Sequence, residues 1–255
     1  MTNDGTRFEQ ERAFWDRHVE QVWGGVEDYQ MPRLAPFEEL CGSIAYLGPV
    51  LEFVGSVKDK RVLDLACGDG WLSWSLAKSG AMVAGCDISP GSIEVAAQVA
   101  RANGLQSRLR FDAMICEKLA YEDNQFDLVL MHAAMHHCDI DQVSKEIWRV
   151  LKPGGRAVLI EDYAYHPLMN LYRRLTPASH TPEEEALTDE DLAVIASRFS
   201  YCEYKFFGLV NLVETSCHPL MVRLKPVLRA VDGYLYKRLP RAQKYSKLVE
   251  VFLVK

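Results

Sequence analysis

Arg-Val-Leu-Asp-Leu-Ala-Cys-Gly-Asp-Gly-Trp-Leu-Ser-Trp, residues 61–74, joins three signals in one short stretch. Val62, Leu63 and Leu65 form the apolar run of a strand buried on both faces of a parallel sheet. Gly68 and Gly70 follow as a turn, and Leu72 to Ser79 reads as a helix. Strand, glycine turn and helix start make a nucleotide-shaped site. Glycines admit a ligand close to the backbone, and a helix N-terminus presents unpaired N–H groups. A dinucleotide-binding turn has a third glycine where this chain has Ser73. Asp64, inside the apolar run, suits a cationic amino group better than a pyrophosphate; the alternative is an acid that only caps the turn.

The next elements keep the alternation of a doubly wound sheet. Ala81 to Cys86 is a second buried strand, ending in Asp87. Asp87 lies close to the spacing beyond Gly68 at which an acid bonds ribose hydroxyls. Ser89 and Pro90 are N-cap and first residue of a helix over Gly91 to Ala102, closed by Asn103-Gly104. Arg108 to Ala113 is a third strand and Leu128 to Met131 a fourth. Asp139 or Asp141 caps a helix to Leu151, which Lys152-Pro153-Gly154-Gly155 ends, and Arg156 to Ile160 is a fifth strand.

Three strings together carry a family resemblance. Asp64 to Gly70 resembles the motif Asp-x-Gly-x-Gly-x-Gly of class I S-adenosylmethionine methyltransferases, with Ala66 at the first glycine position. Leu119, Tyr121, Asp123, Phe126 and Asp127 match the Leu-Pro-Phe-x-Asp-x-x-Phe-Asp string of the ubiquinone/menaquinone (type 11) group. Glu146 to Glu161 matches that group's Glu-Ile-x-Arg-Val-Leu-Lys-Pro-Gly-Gly pattern and the acid after it. The resemblance covers about residues 58–162. It implies a Rossmann-like α/β fold of seven strands, mostly parallel with an antiparallel last strand. It also implies S-adenosyl-L-methionine as cofactor, held by Asp64, Ala66, Gly68, Gly70, Asp87, Ile88, Ile115, Cys116 and His132. Relatives place an Asp-Ala pair at Ile115 and Cys116, the acid accepting from adenine N6. Either Asp112 or backbone groups then hold the base here.

His132, His136 and His137 follow strand four, whose C-terminal edge faces the transferable methyl in this fold. His132 and His136 are the candidate general bases. Their spacing also resembles a metal site, but no further ligand with recognised spacing completes one, so no metal is expected.

Outside the matched core, residues 1–56 show no strand pattern. Phe8, Phe14, Trp15, Val22 and Trp23 suggest one helical face, Met31-Pro32 and Ala35-Pro36 break the chain, and a second helix runs from Phe37 to Phe53. This helical cover either packs or lies over the substrate, which makes Trp15 a candidate contact. Residues 163–187 are an aromatic-rich insertion where such enzymes place a lid, with Tyr163, Tyr165, His166 and Arg173 as candidate substrate contacts. Thr188-x-x-Asp191 is a capping box for a helix to Phe199. Tyr204 to Val213 and Ser246 to Val254 are the last two strands. Between them, residues 214–245 carry an apolar stripe at Leu220, Leu224, Val227, Leu228, Val231, Leu235 and Leu239, and from Val222 to Lys247 eight Lys/Arg face one acid in an otherwise acidic chain. That segment suits an anionic or lipid-like substrate or a membrane surface, or packs as a lid helix with a solvated basic face.

Composition bounds the rest. The 255 residues bury a full core, and a formal charge of −6 argues against generic nucleic-acid binding. The N-terminal stretch is polar, no apolar run is long enough to span a bilayer, and seven scattered cysteines read as reduced residues of a cytoplasmic protein. The expected function is methyl transfer from S-adenosylmethionine to O, N or C of a small, secondary-metabolite or lipid-like acceptor, in a monomer or an oligomer. An RNA or protein methyltransferase is the alternative; it would want a basic surface or an Asn/Asp-Pro-Pro-Tyr/Phe tetrad after strand four, where this chain has His-Ala-Ala-Met. A further alternative is a protein that uses the same fold for binding or another reaction.

Overall fold

The computed structural model describes residues 4–26, 28–31, 34–176, 185–214 and 218–255. Seven strands form one sheet: β1 (Arg61–Leu65), β2 (Met82–Asp87), β3 (Leu109–Ala113), β4 (Phe126–His132), β5 (Leu151–Asp162), β6 (Tyr201–Phe207) and β7 (Leu248–Val254), in the order β3-β2-β1-β4-β5-β7-β6. β1 to β5 pair in parallel, and β7 runs antiparallel to both β5 and β6. This is the fold the resemblance implies. Residues 62–65 of β1 are buried throughout, as expected of a strand covered on both faces.

The helices are α1 (Asp4–Trp23), α2 (Phe37–Ser43), α3 (Gly48–Val54), α4 (Trp71–Lys78), α5 (Pro90–Ala102), α6 (Ile140–Val150), α7 (Pro167–Leu175), α8 (Asp189–Ala196) and α9 (Pro219–Arg238). Side chains of α2, α3 and α4 share a core with Val62, Leu128 and Phe252 on one face of the sheet. On the other face α6 and α8 pack against Leu63, Val129 and Leu159. α1 instead joins Trp74 and α5 at the β2–β3 side through Val19 and Trp23. The N-terminal segment therefore splits: α2 and α3 belong to the sheet's own core, and only α1 covers.

Several boundaries differ from the sequence reading. The helix expected over residues 37–53 breaks at Ile44, which is extended, and Ala45–Leu47 forms a single 3-10 turn. Pro49 at the start of α3 lacks the N–H that would continue the earlier helix. The break turns Tyr46 inward, where it is buried. Helix α6 ends at Val150, next to the expected Leu151, but Lys152 to Gly155 already lies inside β5 as an irregularity, where the register with β4 shifts between Phe126 and Leu128. β6 stops at Phe207 rather than Val213 because Gly208 adopts a φ of 78°, a conformation open to glycine.

The insertions also take definite form. His166 caps α7: its Nδ1 accepts the Met169 amide at 3.2 Å and its Nε2 pairs with the Leu209 carbonyl at 3.1 Å. The capping box at Thr188 and Asp191 forms as read. In α9 most of the apolar stripe is unpacked. Leu220, Leu224, Val227 and Val231 are exposed, as is Leu239 just past its end, and Leu228 and Leu235 are half-buried, whereas Asp232 is buried and lines a cavity with the half-buried Arg229 and Tyr236. Their polar groups find partners there, which an aliphatic stripe would not need. The expectations for Pro32, for the acidic run near the end of the 163–187 insertion and for Cys217 fall outside the described residues. No helix among those described is long and apolar enough to cross a membrane.

Candidate active site

The turn after β1 is built by three left-handed residues: Ala66, Gly68 and Gly70, with φ of 56°, 53° and 94°. Their glycines do different jobs. A Cβ on Gly70 would stand 3.0 Å from both the Ala96 Cβ and the Trp74 Nε1, so this residue lets α4 and α5 close together. A Cβ on Gly68 would meet nothing within 4 Å; it faces open space. Ala66 adopts the same conformation with a side chain, at a cost of about 1–2 kcal/mol. Ala133, after β4, has a φ of 53° and bears the same cost. Both alanines border the cavity described next.

That cavity, about 270 Å³, lies over the C-terminal ends of β1, β2 and β4, where open α/β sheets bind ligands. Its outer wall is one face of α1: Phe8, Glu11, Trp15, His18, Val19, Val22 and Trp23. Four carboxylates line it, Glu11, Asp69, Asp87 and Glu117, and no Lys or Arg is among the described residues that do. Each acid is held in place. The Asp87 Oδ2 accepts the Gly68 amide at 2.9 Å and its Oδ1 accepts the Ser89 amide at 2.9 Å. Asp69 accepts from Trp23 Nε1 at 3.0 Å, and Glu117 pairs with Arg7 at 2.5 Å and accepts the Asp139 amide. Glu11 lies 3.5 Å from His137 Nδ1 and accepts from Trp15 Nε1. Burial pushes the Asp87 carboxyl above the usual range, against three backbone N–H donors that stabilise its charge.

Eight of the candidate cofactor, catalytic and substrate contacts meet at this cavity: Ala66, Gly68, Asp87, Ile88, Ile115, Cys116, His132 and Trp15. The others do not line it. Asp64 is 2% exposed, and its Oδ2 accepts Ser73 Oγ at 2.6 Å. Burial raises its pKa to about 7, with the Ser73 hydrogen bond opposing. Ser73 thus occupies the third-glycine position as the partner of Asp64. Asp112 accepts from Arg110 and Tyr121 on a different surface of β3. Tyr163 and Tyr165 bond at the start of α8, Tyr163 to the Asp189 carboxylate and Tyr165 to the Asp189 amide, while Arg173 pairs with Asp162 at 2.7 Å. These contacts tie the insertion to β5 and α8.

The three histidines after β4 separate by environment. His136 places Nδ1 2.7 Å from the buried Glu161 Oε2, while Glu161 Oε1 accepts the amides of Ala134 and Met135 at 3.0 and 2.9 Å. Burial works to raise Glu161, but the His136 ring and the two amides hold it below the usual carboxylate range. Glu161 and His136 thereby fix the loop that borders the cavity. His137 lines the cavity under Trp15, with ring centroids 5.7 Å apart. His132 lines it beside Trp71, 5.4 Å between centroids, and its Nε2 lies 3.4 Å from the Tyr46 hydroxyl. Burial lowers the His132 pKa, so its ring is neutral at pH 7 despite the opposing charge of Glu161. Sequence reading missed Tyr46, Asp69, Trp71, Glu117 and the polar members of the α1 face. The 8, 11, 15, 18, 22 spacing of α1 was the signal available for the last of these.

Residues 63–159 match the family described as a methyltransferase domain. A methyltransferase of Streptomyces halstedii is 39% identical over 103 residues, 40% of this chain and 37% of that one. A sterol 4-C-methyltransferase of Caenorhabditis elegans is 29% identical over 243 residues, 84% of this chain and 72% of that one. The chain thus spans little more than a third of the first relative's length. The solved geranyl diphosphate C-methyltransferase from Streptomyces coelicolor A3(2) has the same fold, with a TM-score of 0.63 at 14% identity over 97% of each chain.

Proposed function

We propose that this chain, whose residues 63–159 match a methyltransferase domain, is a class I S-adenosylmethionine-dependent methyltransferase that binds S-adenosylmethionine beneath α1 and methylates a small-molecule acceptor. One observation carries the reading: a cavity with four carboxylates and no Lys or Arg among its described residues. Such a wall repels a pyrophosphate and attracts a ligand that is cationic at both a sulfonium and an ammonium. The open space above Gly68 fits a ligand lying against the backbone.

When bound, S-adenosylmethionine supplies a methyl group already activated by the sulfonium. The protein's own work is to position groups and exclude water. Asp87, fixed by the Gly68 and Ser89 amides, presents its remaining acceptor capacity to a ribose diol. Ile88, Ile115 and Cys116 offer an apolar slot for the adenine, without the acid that relatives carry there. Asp64 acts at one remove, through Ser73, by fixing the turn. α1 seals the cavity with Trp15 and Trp23. His132, neutral and facing Tyr46, is the group that accepts a proton at Nε2 when the acceptor must lose one.

Isothermal titration with S-adenosylhomocysteine and NAD tests the assignment. The expected result is saturable binding of the first with a micromolar dissociation constant and none of the second. Binding of NAD alone would reject it.

A further inference from the structure

A second cavity of about 220 Å³ lies on the other side of Tyr46. It sits where β6 ends and β7 begins, roofed by α9. Tyr46 lines this cavity and His132 lines the first, with 3.4 Å between their polar atoms. Much of the wall is apolar, from Ala45, Phe206, Phe207, Leu212 and Leu248.

The acids of the wall are paired, and one amide oxygen is not. Glu214 accepts the Ala45 amide at 3.1 Å, Asn211 Nδ2 at 2.9 Å and Arg229 Nε at 3.0 Å. Asp232 accepts the Val210 and Asn211 amides at 2.8 and 3.3 Å. Both acids are therefore satisfied, and the lining carries two carboxylates against Arg229 and Lys247. What is left is Asn211 Oδ1. Asn211 is 7% exposed, and this atom has no hydrogen-bond partner among the described residues. The Nδ2 bond to Glu214 fixes which way the amide points. A buried acceptor left unpaired on a cavity wall is the kind of exception that a ligand explains.

We propose that this second cavity is the acceptor chamber, and that it takes an uncharged, largely apolar molecule bearing a hydroxyl that donates to Asn211 Oδ1. The two carboxylates of the wall are matched in number by Arg229 and Lys247, which favours neither net charge, and the unpaired acceptor selects a donor. The far end of such a molecule reaches Tyr46, beside His132. The proposal rests on reading the first cavity as the S-adenosylmethionine site, and each has its own readout.

The probes share one rigid cage: 1-adamantanol, 1-methoxyadamantane, 1-adamantylamine as its cation, and 1-adamantanecarboxylate. Each is titrated into the protein saturated with S-adenosylhomocysteine. The alcohol should bind about 3- to 10-fold tighter than the ether, the worth of one hydrogen bond, and tighter than either ion. Asn211→Leu should erase the alcohol's advantage. Gly233→Phe, which adds a large side chain to this wall where a Cβ meets nothing within 4 Å, should abolish cage binding. Both variants should keep S-adenosylhomocysteine affinity within about twofold, because neither residue borders the first cavity. Equal binding of alcohol and ether to the wild type overturns the proposal without any variant. So does absence of cage binding while S-adenosylhomocysteine still binds, or binding unchanged in both variants. Failure of S-adenosylhomocysteine itself to bind overturns the reading of the first cavity instead.

Discussion

His132 Nε2 and the Tyr46 hydroxyl lie 3.4 Å apart, each residue bordering a different cavity. Strand β4 delivers the histidine, and the break between α2 and α3 delivers the tyrosine. Burial lowers the His132 pKa and raises that of Tyr46 to about 12. A neutral imidazole thus faces a neutral phenol, an arrangement that can take up a proton near pH 7 without first losing one.

If His132 is the base, turnover rises with pH as the imidazole loses its proton, with a midpoint below the ordinary histidine value of about 6.5. His132→Gln should lower turnover about 10²- to 10⁴-fold and remove this acid limb. Tyr46→Phe, which removes one hydrogen bond, should cost at most about 10-fold. Steady-state rates from pH 5 to 8 check this. A wild-type limb that survives in His132→Gln assigns the base elsewhere, and turnover within a few-fold of wild type rejects His132.

Asp87→Asn should weaken S-adenosylhomocysteine by about 10-fold or more, since a charge-assisted bond is worth about 1.5–3 kcal/mol. A 2′-deoxy analogue should lose affinity for the wild type and little further in the variant. Contacting groups are not independent. Full additivity in a calorimetric double cycle would mean that Asp87 only braces the Gly68 and Ser89 amides.

The central turn, the two buried strands and Asp87 were legible because their signals are local. A left-handed turn demands glycine, and Ser89 with Pro90 marks a helix start. Nineteen residues separate Asp87 from Gly68, and the structure realises that spacing as a hydrogen bond. The partner of Asp64 was not legible, because nothing local says that Ser73 would cover its carboxylate. Tyr46 was invisible: the apolar run from Phe37 to Phe53 reads as one helix, and Gly48-Pro49 was the overlooked break. In α9 the periodic leucines suggested the packed face. Long-range partners, Glu214 for Arg229 and the 210–211 amides for Asp232, chose the other one.

Ala66→Gly should stabilise the protein by about 1 kcal/mol, because glycine adopts the left-handed conformation freely while gaining some unfolded-state entropy. For a chain of this size that is a rise in Tm of about 2–4 °C. A calorimetric scan showing no change or a loss would place the cost of the turn elsewhere.

Glu250 is fully buried on β7 and neither carboxyl oxygen has a hydrogen-bond partner among the described residues. Burial raises its pKa from 4.5 to about 9, with only Lys205 opposing. The folded state therefore holds a proton that the unfolded state releases above pH 4.5. The contribution of Glu250 to stability is fully present below that pH and is lost across the window up to about 9. Glu250→Gln should remove this loss and gain roughly 2–4 kcal/mol at pH 8 relative to pH 5. Urea unfolding at the two pH values checks it; parallel pH dependence in both proteins would contradict it.

The most direct measurement is a crystal structure with S-adenosylhomocysteine. The ligand is predicted in the cavity beneath α1, its ribose hydroxyls on Asp87, its adenine between Ile88 and Ile115, its backbone contact at Gly68 and its sulfur toward His132. A ligand bound elsewhere, or a cavity still empty at saturating S-adenosylhomocysteine, would contradict the account.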